Sequence, residues 1–124
     1  MKVSAEKAFN AWLDPLQLNK WFTSSAKVNP SVGGSFTNED GDSGEYLVIE
    51  RSRVLSFSWN NQHHQPGSIV LLNFNAKGSE LTNIVLTHKN LANDKEVVDL
   101  TKGWEWAISS LKSFLETGTG IASD

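Results

Sequence analysis

Apolar residues recur along this chain with two periods, and the switch between them divides it into parts. Val97, Leu100, Trp104, Ala107, Ile108, Leu111, Phe114 and Leu115 fall at helical spacing. They predict one long amphipathic helix, from about Lys95 to Thr117, with Gly118 as its C-terminal cap. Near the other end Ala5, Ala8, Phe9, Trp12 and Leu13 repeat that spacing behind a capping Ser4. Asp14-Pro15 closes this helix and starts a second, short one, in which Leu18, Trp21 and Phe22 share a face. Between Lys27 and Asn90 the period drops to two. Ser35 to Glu39 predicts a strand, Glu39 to Gly44 a hairpin turn, and Glu45 to Arg51 a strand apolar on both faces. Leu55, Phe57 and Trp59 face one way, with Ser56 and Ser58 opposite. Val70, Leu72 and Phe74 form the next inward row, and Thr82, Ile84, Leu86 and His88 the last. A helix with one greasy face that follows a run of antiparallel strands can bury that face against the concave side of a curved sheet. The expected class is therefore α+β: a curved antiparallel sheet wrapped round a long C-terminal helix, two short N-terminal helices closing one end, and residues 1–124 forming one domain.

Composition sharpens this in few places. At 124 residues the chain suffices for a single core. It has no cysteine, which removes disulfides and thiol nucleophiles and suits a cytoplasmic protein. No apolar run approaches the roughly 20 residues that span a bilayer, and Met1-Lys2-Val3 leads straight into a helix pattern rather than a signal peptide. A formal charge of −3 with both signs interspersed gives no footprint for nucleic acid. Five tryptophans and six phenylalanines beside a single tyrosine stand out, because large rigid aromatics build cores and also line apolar pockets.

Most motifs that might carry chemistry are incomplete. Asp40-Gly41-Asp42-Ser43-Gly44-Glu45 echoes the start of a calcium loop, but the twelfth position, where such loops need a glutamate, is Arg51. The loop from Asn60 to Gly67 carries His63-His64, which lack the further ligands of a metal site. Gly33-Gly34 is a turn and no phosphate cradle, and no Gly-x-Ser-x-Gly elbow occurs. No metal or cofactor is expected. His88 is the titratable residue best placed to orient a polar ligand head or act as a base. It lacks a clear carboxylate partner, Glu50 and Glu105 being unplaced. Trp106 lies about 200° round the helix from Trp104, among polar residues, where it is either covered by a loop or early helix or forms a contact surface.

The order helix, short helix, strands, long helix is punctuated by Asp14-Pro15 with Lys20-Trp21-Phe22, Gly33-Gly34-Ser35-Phe36, Gly44-Glu45-Tyr46, Leu55-Ser56-Phe57-Ser58-Trp59, Thr82 with His88, and Gly103-Trp104 with Leu111. From Ser4 to Gly118 the chain resembles the START/Bet v 1-like helix-grip superfamily, and within it the bacterial Aha-type domains, relatives of the activator of the ninety-kilodalton heat-shock chaperone ATPase. The resemblance implies a full strand ahead of the first helix, of which only Met1-Lys2-Val3 is seen here. It would leave the adjoining strand with an open edge.

The expected function is non-catalytic binding of a small hydrophobic or amphipathic molecule, lipid- or polyketide-like, between helix and sheet. Trp12, Phe36, Leu55, Phe57, Trp59, Leu72, Phe74, Leu86, Trp104, Ile108 and Leu111 would form the apolar wall, and Tyr46 and His88 the polar contacts. The resemblance implies two alternatives, a chaperone-regulating interaction domain and a polyketide cyclase- or dehydratase-like enzyme. A homodimer or protein partner would meet the chain through Trp106 or the open sheet edge.

Overall fold

The computed structural model describes every residue except 24, 40, 61–66, 92 and 122–124. Two short helices open the chain, each started by the predicted cap. Ser4 Oγ accepts from the Lys7 amide ahead of α1 (Ala5–Asn10), and Asp14 Oδ1 accepts from the Leu16 amide ahead of α2 (Pro15–Trp21). Six strands follow: β1 (Lys27–Val28), β2 (Ser35–Thr37), β3 (Ser43–Glu50), β4 (Val54–Trp59), β5 (Ser68–Gly78) and β6 (Leu81–Lys89). They pair antiparallel in sequence order into one curved sheet. The chain ends in α3 (Asp94–Thr117), capped by Asn93 at its start and at its end by Gly118, whose φ of 87° suits glycine. This is the helix-grip α+β fold.

Several boundaries and faces differ from expectation. β2 stops at Thr37, because Asn38 and Asp42 close the hairpin with two side-chain bonds of 3.0 Å. Asp42 of the calcium-like stretch is thereby tied to Asn38, and no cluster able to hold a metal occurs among the described residues. The His63-His64 pair lies outside them. A register shift between Tyr46 and Val48 explains the two-faced apolar pattern of β3. It turns Tyr46 into the core while Leu47 and Val48 stay exposed. Ser56, expected to face solvent, is buried and donates to the Val70 carbonyl. Residues 119–121, beyond the Gly118 cap, fold back onto α3. Ser113 Oγ donates to Thr119 O, and the Ile121 amide donates to Ser110 Oγ, which itself donates to Trp21 O.

The core is continuous from α1 to α3. Leu55, Val70, Leu72, Ala107 and Leu111 are wholly buried, with Phe9, Trp12, Trp21, Phe57, Phe74 and Trp104 around them. The predicted stripe of α3 is buried only from Trp104 onward. Val97 is exposed and borders an open groove beside β6. No helix among the described residues is long and apolar enough to cross a membrane.

Candidate functional site

The sheet's concave face and α3 enclose aromatic rings that nearly fill the space between them. Phe22, just past the end of α2, lies parallel to Trp104 with centroids 6.0 Å apart and an interplanar angle of 4°. Trp104 also meets the Trp59 ring edge-on at 5.0 Å, and Trp12 lies 6.4 Å away. Phe36 packs edge-on against Phe57 at 5.3 Å. What remains is a void of about 30 Å³ bordered by these six aromatics and Tyr46. Pockets that hold drug-sized ligands run to roughly 300–1,000 Å³. Among the described residues the interior is packed, and no cavity of the expected ligand size lies between helix and sheet there.

Tyr46 does face inward, as a polar contact would require. Burial pushes its hydroxyl well above the usual phenol range, so it stays protonated as a donor. The indole N–H groups of Trp12 and Trp59 are buried with no acceptor among the described residues, so donors as well as rings border the void.

The thirteen residues expected to bind ligand separate into three groups. Trp12, Phe36, Tyr46, Phe57, Trp59 and Trp104 surround the small void. Leu55, Leu72, Phe74 and Leu111 border neither the void nor the groove described next, and serve as core. Leu86, His88 and Ile108, with Trp104 again, line an open groove of about 500 Å³ between β6 and α3. Leu91, Val97 and Leu100 complete its apolar wall, and Thr101, Glu105 and Ser109 its polar side. Sequence reasoning missed Phe22 and Leu91. Phe22 was visible as an apolar residue just past a helix end, whereas nothing in periodicity marks Leu91.

Within the groove the Trp104 indole donates to His88 Nδ1 at 2.9 Å. A ring nitrogen that accepts carries no proton, so the neutral imidazole is protonated on Nε2. The nitrogen that would have to take a substrate proton is already held by Trp104, which weakens the case for His88 as a base. Glu105 shares the groove; Glu50 does not.

Trp106 is half-buried by its own chain. Its indole donates to the Ile121 carbonyl at 3.1 Å, and Phe22 stacks on it at 6.3 Å. Its own chain thus covers it in part. The partner surface at the sheet edge is different: Met1 pairs with Thr82, and Thr82 Oγ1 donates to Val3 O, so the three-residue stub covers the start of β6.

Solved structures share this architecture. The protein CalU16 from Micromonospora echinospora superposes with a TM-score of 0.82 at 28% identity, over 95% of this chain and 73% of its own. An HSP90 activator from Plasmodium falciparum gives 0.80 at 24%, over 95% and 91%. The Aha1 dimer from Colwellia psychrerythraea gives 0.83 at 20%, over 97% and 93%. No curated protein matches the sequence. The sequence model of the activator of Hsp90 ATPase homolog 1-like proteins matches residues 2–116, nearly the whole chain. With the helix-grip fold in place, this match makes the chain a member of the activator of Hsp90 ATPase homolog 1-like family.

Proposed function

We propose that the chain is an Aha-type interaction domain that regulates a chaperone ATPase through its outer surface. The observation that supports this reading is the packed interior: with about 30 Å³ free, the space between helix and sheet cannot accept a metabolite unless several aromatic rings move. The family match and the HSP90 activator among the structural relatives agree with it. The test mixes the chain with the ninety-kilodalton heat-shock chaperone of its own source. ATP hydrolysis is expected to rise and saturate with added chain. An unchanged rate, together with no complex in sedimentation, defeats the reading.

The open groove favours a second reading, binding of an amphipathic small molecule outside the core. Its volume of about 500 Å³ suits such a ligand, and its wall is mostly apolar, with Glu105 beside it for a polar head. An apolar dye should bind and be displaced by a fatty acid. Val97→Glu would set a carboxylate in the wall at an exposed position and should weaken dye binding roughly tenfold, about 1.4 kcal/mol, at unchanged melting temperature. Equal binding by the variant removes the groove as the site.

A further inference from the structure

Among the described residues that border the open groove, one carries a charge. Glu105 is ionised, whereas His88 accepts from the Trp104 indole and is neutral, and the others are apolar or bear hydroxyls. Glu105 stands exposed on α3, and its carboxylate forms no ion pair or hydrogen bond among the described residues. The nearest cations along the helix are Lys102, three residues earlier, and Lys112, seven later; neither borders the groove. Lys89, next to His88 on β6, takes the opposite face of the strand by alternation, in register with Ile69. A guest in this groove therefore meets an unpaired carboxylate and no positive charge.

We infer that the groove takes a free single-chain amphiphile with a cationic head, an alkylammonium in preference to a fatty acid. This rests on the second reading above and names the class of molecule that its site selects. The tail lies along Leu86, Leu91, Val97, Leu100 and Ile108, and the head reaches Glu105. Burial of the tail is indifferent to the head, so amphiphiles of one chain length gain alike from it. The head ranks them. An ammonium donates charge-assisted hydrogen bonds to the Glu105 carboxylate, whereas a carboxylate in the same place meets its own sign of charge. Thr101 and Ser109 have hydroxyls that both donate and accept, so they serve either head and do not discriminate. The Trp104 N–H, a donor that could hold an anion, is spent on His88 Nδ1. Because Glu105 remains in contact with water, the preference is severalfold and not absolute. A fatty acid still enters, less tightly.

The test displaces an uncharged apolar dye from the full chain with dodecylamine, dodecanol and dodecanoate, each below its micelle concentration. A pH of about 8 keeps imidazoles neutral. Dodecylamine should bind tightest and dodecanoate weakest, roughly tenfold apart at low salt, and the gap should narrow as salt rises towards about 1 M. Glu105→Gln should bring the three within roughly twofold of one another, and Glu105→Lys should invert their order. Both changes fall at an exposed position, so the melting temperature should hold. Asp99→Asn removes the same charge from an exposed site on α3 outside the groove, and should leave the ranking intact. Dodecanoate binding as tightly as dodecylamine overturns the inference while the groove reading stands. So does a ranking that survives Glu105→Gln, or one that Asp99→Asn erases equally well. Failure of all three amphiphiles to displace the dye removes the groove reading itself, and the inference with it.

Discussion

Replacing Trp104 with alanine should cost about 3–5 kcal/mol of folding stability, the usual range for deleting a large buried aromatic. A domain of this size has roughly 5–15 kcal/mol in all, so the variant should sit near the edge of folding. Trp104 is only 7% exposed, and four other rings rest on it: Phe22 face to face, Trp59 and His88 edge-on, and Trp12 tilted. It also separates the interior void from the outer groove, since its indole borders both. Truncation would join the two spaces, so the lining could not collapse as a closed core does, and the penalty should fall in the upper half of the range. Trp104→Phe isolates the polar part. The ring that meets Phe22 and Trp59 largely remains, while the bond to His88 Nδ1 is lost, at about 1 kcal/mol. Urea unfolding of both variants checks the ordering. A Trp104→Ala cost below that of Trp104→Phe would show that the indole ring does not hold this end of the helix on the sheet.

How much of this was legible beforehand depends on which physical variable the sequence carries. Periodicity carries direction. Leu55, Phe57, Trp59, Val70, Leu72 and Phe74 were assigned to the inner face from alternation, and all six are buried there. Caps carry ends, which is why Ser4, Asp14 and Gly118 lie at helix boundaries, whereas Asn93, which caps α3, was not read as a cap. Neither variable carries what stands opposite. Val97 belongs to the apolar stripe by spacing yet is exposed, because an open groove separates it from β6. Ser56 looked outward and is buried, since its hydroxyl finds the Val70 carbonyl within reach. Spacing left Trp106 either covered or a contact surface, and the Ile121 carbonyl that accepts from it lies fifteen residues on. The size of the interior void is hardest of all to read. It is a small difference between the volume the sheet and helix enclose and the volume the rings occupy, and moving Phe22 alone changes it.

The second large effect is expected at a residue with no side chain. Gly44 lies in β3 opposite Phe36, where the strand passes from its pairing with β2 to its pairing with β4. A Cβ at Gly44 would stand 1.9 Å from the Ser58 carbonyl oxygen and 2.5 Å from the Phe36 ring. The oxygen is backbone and cannot swing aside, and Phe36 is held edge-on by Phe57. Gly44→Ala should therefore cost about 3 kcal/mol or more, at or beyond the upper end for overpacking. It should also loosen the rings of Phe36, Phe57 and Trp59 together, visible as altered near-ultraviolet circular dichroism. The opposite sign is expected at Gly103. It sits within α3, where an added Cβ meets nothing within 4 Å, so Gly103→Ala should stabilise the fold by about 0.5–1 kcal/mol through helix propensity alone. Both changes add the same methyl group to a chain of the same composition, so the difference in sign isolates close backbone approach as the reason Gly44 must be glycine. Thermal melts of the two variants side by side decide it, and a Gly44→Ala protein as stable as the parent would mean that β3 and β4 are not so close at this crossing.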